Sequence, residues 1–475
     1  MIAMDLFTGG SYVLTRLFLQ RGMAFIYLIS FIIILYQWKP LLGENGITPV
    51  HLFLKRVRFW DAPSLFWMFP KNSAFMVIAW IGLALALLAL TGFSEKFGTP
   101  VSMVVWFLLW LLMLSYVNVG QTWYSFGWET MLLEAGFLTI FLGAQGTEPP
   151  VIVIWLFRWM LFRLMFGAGL IKLRGDPCWR DFTCMMYHHE TQPIPGPFSW
   201  HFHWLPVWMH KGEVLGNHIT ELLVPWGYFF PGVIGVVSGV ITLLFHGWLF
   251  MSGNFALLGA LTIVITFSTL NDAAISAVFP TSLASDVARA FPHDIAVYLL
   301  LALVALLSIK PVVNMFSSRQ LMNASFEPLH LVNTYGAFGS ITKERHEIVV
   351  EGTLDRAVTS DTEWKEYAFK GKPGNVLHRP PQISPYHLRL DWLMWFLPFN
   401  PRYVNPWFVS FTEKLLRGDQ TVLHVLRSNP FPNTPPRFIR ARMYHYQFTT
   451  PEEHKKTGAW WKRTFIGEYL PPVSF

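Results

Sequence analysis

Apolar residues run in long blocks, separated by short polar stretches, over the first two thirds of the chain. Those near Gly22 to Trp38, Ser73 to Phe93, Val101 to Val117, Trp128 to Ala144 and Val151 to Lys172 each have about the 17 to 25 residues a helix needs to cross a bilayer. Gly216 to Phe230, Pro231 to Met251, Asn254 to Leu270 and Ile295 to Ile309 extend the series to nine expected spans. Pro225 and Pro231 interrupt the sixth, which fits a kinked or re-entrant element lying against protein, or two helices separated by a turn. After Pro311 the pattern changes. Runs such as Glu347 to Gly352 and Arg440 to Phe448 alternate or favour β-branched and aromatic residues, with Gly and Pro between them, and predict strands. The expected fold is an α-helical polytopic membrane bundle of about nine spans over residues 1–313, then a soluble β-rich, sandwich-like domain over 314–475.

Composition sharpens this picture. The 475 residues are 53% hydrophobic and only 14% charged, against about 25% charged in an ordinary soluble chain. The net charge of +7 comes from Lys and Arg scattered among apolar residues, not from a basic stripe, so membrane lipid is the expected neighbour and nucleic acid is not. Met1 to Gln20 lacks the order of basic, apolar and small-residue segments of a cleaved leader, so the first span is read as retained. Basic residues flank both ends of that span, Arg16 and Arg21 before it and Lys39, Lys55, Arg56 and Arg58 after it, so charge alone does not set orientation. With a cytoplasmic start and nine spans, the Cys-, His- and Trp-rich loop at about 173–215 and the C-terminal domain share the outer or lumenal side.

Charged residues inside spans are expensive and mark function or a structural ion pair. Arg163 lies about 13 Å deeper than Lys172 at about 1.5 Å per helical residue, and Glu134 lies roughly 8 Å deeper than Glu129 on the antiparallel fourth span. These depths pair Glu129 with Lys172 and Glu134 with Arg163, around an outer-half cavity that Glu221 and His246 also reach. There Lys172 is the candidate base or nucleophile, with Glu129, Glu134 and His246 beside it. Arg163, Asp176, Trp179, His188, His189, Glu190 and Glu221 are the candidates for holding a client or ligand. The same charges equally fit ion pairs that only fix helix register.

Cys178 and Cys184 lack the two-residue spacing of redox or zinc motifs and are expected to form a disulfide in an oxidising compartment. His188, His189, Glu190, His201, His203, His210 and His218 offer enough metal donors, but in no spacing that names a metal motif, so they are read as bonding within a folded loop and no metal is assigned. No pattern names a cofactor. The chain has no nucleophile elbow, phosphate-binding loop or dinucleotide fingerprint.

The run Gly120-Gln121-Thr122-Trp123-Tyr124-Ser125-Phe126-Gly127-Trp128-Glu129-Thr130-Met131-Leu132-Leu133-Glu134, followed by Gly175-Asp176-Pro177-Cys178-Trp179-Arg180-Asp181 and His189-Glu190-Thr191-Gln192-Pro193, resembles the lipase maturation factor family. So do Asn333 to Phe338, Ile348 to Gly352, Trp364 to Tyr367, Arg389 to Trp392 and Gly458 to Trp461, so the likeness covers nearly the whole chain. It implies a membrane-embedded, chaperone-like maturation factor that assists folding or assembly of a secreted client, a lipase in the best-known cases. The membrane implied is the endoplasmic reticulum in a eukaryote or the plasma (inner) membrane in a bacterium. More distantly, Ala168-Gly169-Leu170-Ile171-Lys172-Leu173 is similar to the Ala-Gly-x-Lys-Lys-Leu segment of vitamin K-dependent gamma-carboxylase, with Ile171 in place of the first lysine. That likeness puts the carboxylase's base at Lys172 and implies, as alternatives, an integral membrane enzyme acting on a lipid or quinone-like substrate, or a non-catalytic lipid-binding scaffold.

Overall fold

The computed structural model describes residues 11–280, 291–400 and 404–474; the start of the Met1 to Gln20 segment read as retained lies outside them. Among the described residues, six helices are long and apolar enough to cross a membrane: Val13–Leu42, Asn72–Leu90, Thr99–Val119, Val151–Arg174, Val233–Ser252 and Phe291–Phe316. Val151–Arg174 is the axle of the bundle, with 78% of its most apolar window buried, whereas Asn72–Leu90, Val233–Ser252 and Phe291–Phe316 bury 28% of theirs. The last three therefore turn apolar faces outward, as lipid-facing helices do, while the axle can carry charge because protein surrounds it.

The other three expected spans are shorter helices. The fourth is Gly127–Thr139, and Gly143 and Gly146 then turn the chain at positive φ. The eighth is Leu258–Thr266 with one tight turn over Phe267–Thr269. The sixth region combines the Val207–His218 helix, a widened π turn over Ile219–Leu223 and a last helical turn over Val224–Gly227. Pro225 supplies the reason, because its ring would meet the Glu221 carbonyl in a regular helix and its nitrogen cannot donate. Asp272 ties the bundle's other end, accepting from the backbone N–H groups of Val13 and Leu14, both at 2.8 Å. A carboxylate there satisfies orphan donors and complements the helix dipole.

Beyond the bundle, four antiparallel strands form one sheet in the order Lys365–Glu366, Arg345–Thr353, Phe438–Phe448, Trp461–Val473. Strand alternation divides its residues between two cores. Ile348, Val350, Ile439 and Ala441 join Phe408 and Phe411 of the amphipathic Pro406–Leu416 helix. Val349, Tyr446, Phe448 and Trp461 join Trp200 of the Cys/His/Trp-rich loop. The expected sandwich of two facing sheets is thus replaced, among the described residues, by one sheet with helix on one face and the loop on the other. Both faces are covered, which removes the need for a second sheet.

Candidate functional site

The bundle, the Cys/His/Trp-rich loop and the sheet domain meet around a cavity of about 870 Å³, lined mainly by apolar side chains. Lys172, Asn217, Glu221 and His246 supply most of its chemistry. Lys172, in the last turn of the axle, donates to Glu221 at 2.5 Å and Asn217 at 3.0 Å, and its ammonium lies 5.0 Å from the centre of the Trp179 ring. Asn217, one turn before Glu221, donates to the second carboxylate oxygen at 2.8 Å. The π turn presents Glu221, and Gly169 permits the approach: a Cβ there would stand 2.7 Å from Leu222 and 3.0 Å from the Glu221 Cβ. A fully buried pair with these extra bonds avoids the cost of an unsatisfied charge. His246 lies on the same wall, bonded through Nδ1 to the Thr242 carbonyl at 3.0 Å.

Glu129 is not with Lys172, which corrects the pairing expected from depth. Its carboxylate stands 2.7 Å from the Arg389 guanidinium, whose central carbon lies 3.4 Å from the centre of the Tyr124 ring. Matching depths along two helices overlooked a third element, the Arg389–Met394 helix of the C-terminal region, which enters the mouth of the bundle. Beside it His387 is buried, and desolvation first, then the charge of Arg389, holds its imidazole well below the usual value and neutral.

Glu134 and Arg163 do form a buried ion pair. The same carboxylate accepts from Asn333 N at 2.9 Å and Tyr335 Oη at 2.7 Å, while Arg163 donates to the Asn333 carbonyl at 2.6 Å. The pair is outside the cavity lining and fastens the Asn333–Tyr335 segment across the axle, where Gly167 leaves 2.7 Å between a hypothetical Cβ and the Tyr335 carbonyl.

The remaining candidates divide between cavity and scaffold. Trp179 and His188 line the cavity. Burial, then the charges of His189 and Lys172, pushes His188 down to about 3, so it is neutral at physiological pH. Asp176 instead caps the Pro177–Arg180 turn through Cys178 N at 2.9 Å, and Cys178 and Cys184 are joined by a disulfide. Glu190 accepts from Phe448 N at 2.6 Å and pins the sheet to the loop. His189 faces Glu213 on the Val207–His218 helix.

Sequence reading missed Asn217, Glu213, Arg389 and Arg345. The first two had a signal, since Asn217 precedes Glu221 by one helical turn and Glu213 follows His210 by one. Arg345 had none. It donates to the carbonyls of Glu190 at 3.0 Å and Pro193 at 3.0 Å and to Glu347 at 2.5 Å, so the sheet grips the loop's backbone.

Fold and site together define an integral membrane protein whose C-terminal domain closes over a largely apolar cavity, with a few charged and polar side chains on its wall, at one end of a helical bundle. Residues 14–277 match the family model of the lipase maturation factor transmembrane domain, and residues 331–471 match that of the C-terminal domain. Lipase maturation factor 1 of Mus musculus and of Homo sapiens are each 42% identical to the chain, over 98% of it and 88% of their own lengths. Lipase maturation factor 2 of Homo sapiens is 27% identical over 98% of the chain and 83% of its own length. The chain belongs to the lipase maturation factor family. No solved structure matches it.

Proposed function

We propose that this protein is a membrane-embedded maturation factor that assists folding or assembly of a secreted lipase. The observation that carries the proposal is the 42% identity to Lipase maturation factor 1 sustained over 98% of the chain. It includes both the bundle and the sheet domain that the buried Arg389, Arg345 and Glu190 contacts lock onto it. A rigidly docked domain presents a fixed surface to a partly folded client, which suits a chaperone-like role of aligning client states rather than covalent chemistry. Lys172 supports this division, since its ammonium is committed to Glu221 and Asn217.

In this reading the loop and residues 314–475 face the lumen of the endoplasmic reticulum, or the outer side of a bacterial plasma membrane, where the disulfide is maintained. The three shorter helical elements complete nine membrane traversals. The test is co-expression with a secreted lipase in cells deprived of their own maturation factor. Restored secretion of active lipase is expected, with a tag after Thr457 labelled only from the outer or lumenal side. Lipase that stays inactive despite abundant, inserted factor overturns the proposal.

A further inference from the structure

Beside the Lys172 pair, three further side chains converge. His189 comes from the short Met185–Thr191 helix, and His210 and Glu213 lie one turn apart on Val207–His218. Their potential ligand atoms all lie within 4.8 Å of one another. His189 Nε2 stands 3.2 and 3.3 Å from the two Glu213 oxygens, and His210 Nδ1 stands 2.9 Å from Oε2. An imidazole nitrogen almost equidistant from both oxygens is poorly aimed at either as a single hydrogen bond. Separations near 3 Å are instead the edges of a small polyhedron whose ligand bonds are about 2 Å.

The surroundings supply the support that metal ligands use. The second nitrogen of His210 faces the His203 carbonyl at 3.3 Å, which fixes the ring and leaves Nδ1 free to coordinate. Trp248 Nε1 donates to Glu213 Oε1 at 3.1 Å, and the Phe202 ring stacks on His189 with centroids 5.6 Å apart. Glu213 supplies the carboxylate oxygens toward which both imidazoles converge, and a carboxylate is the anionic partner a cation needs.

We propose that His189 Nε2, His210 Nδ1 and a Glu213 oxygen bind one divalent transition-metal ion, zinc by the donor set. Two imidazoles and a carboxylate are a zinc set with one position left open. Glu213 also lines the 870 Å³ cavity, so water, or an oxygen of a molecule held there, can take the fourth position. The ion staples the disulfide-bearing loop to the helix that carries Asn217. The proposal is independent of the lipase reading. Without an ion, the same three groups are held only by hydrogen bonds between the two imidazoles and the one carboxylate.

The test uses the full chain purified in detergent, stripped with a chelator, desalted and titrated separately with zinc chloride and cobalt chloride. One zinc ion per chain should be retained through a second desalting, and cobalt should give the intense visible absorption of a four-coordinate site. Loss of a supporting contact to a metal ligand typically costs about 10- to 100-fold in affinity, so His210→Ala and Glu213→Gln should each weaken zinc binding at least tenfold. His201→Ala, outside the cluster, should not. Elution as a monodisperse species guards against misfolding, and Glu213→Gln, which keeps the side chain's volume, remains decisive if His210→Ala does not fold. Background zinc in the wild type, or equal zinc retention by wild type and Glu213→Gln, overturns the site and leaves only the hydrogen-bonded cluster.

Discussion

Two ion pairs on the Val151–Arg174 helix solve the same problem differently. Arg163 and Glu134 are sealed in protein, and the backbone and side chain of Asn333 together with Tyr335 add further hydrogen bonds to the pair. Lys172 and Glu221 are also buried, slightly less deeply, and stand on the wall of the cavity with Asn217 as their bonded side-chain neighbour. The first arrangement locks a segment of the C-terminal half across the axle, while the second keeps charge available beside open space. A charge in a membrane helix therefore does not identify its purpose. What surrounds it does.

The comparison breaks most sharply at Glu134. Glu134→Ala should strand the Arg163 guanidinium and cost about 3–5 kcal/mol, the usual penalty for removing one partner of a buried pair. The expected result is loss of monodisperse protein on size exclusion after detergent extraction. Lys172→Met should cost less, about 1–3 kcal/mol, because Asn217 still bonds the Glu221 carboxylate and the cavity gives it room to reorient. Equal losses of thermal stability in the two variants would erase the distinction between sealed and cavity-facing pairs.

A pH series sharpens the sealed side. The His330 carbonyl accepts from Asn333 Nδ2 at 2.9 Å, and burial holds the His330 imidazole down at about 4 against an ordinary 6.5. Between those values the unfolded chain binds the extra proton. Stability from this group is therefore complete above 6.5 and is lost as pH falls toward 4, amounting to about 2 kcal/mol at pH 5. His330→Gln should flatten that part of the melting-temperature profile between pH 7.5 and 5, and an unchanged slope would show that His330 is not a source of it.

The smallest effect is expected for Lys172→Arg. Arginine keeps the cation for Glu221 and Asn217, so stability should change by less than about 1 kcal/mol and lipase maturation should persist. A well-inserted arginine variant that no longer supports secretion would instead require Lys172 to exchange a proton.

The order and approximate limits of the long apolar helices were legible in sequence, because membrane spanning demands an uninterrupted apolar length whatever surrounds it. The strands at Glu347 to Gly352 and Arg440 to Phe448 were legible through alternation, and the Glu134–Arg163 pair through depth along antiparallel helices. The short elements were harder to read, since hydropathy does not register the π turn that Pro225 imposes. Partner choice was not legible. Only the tertiary structure brought Arg389 to Glu129, Arg345 to the loop carbonyls, and His189 across to His210 and Glu213. Those contacts join segments far apart in the chain, and local periodicity carries no information about which distant cation or imidazole a buried carboxylate will meet.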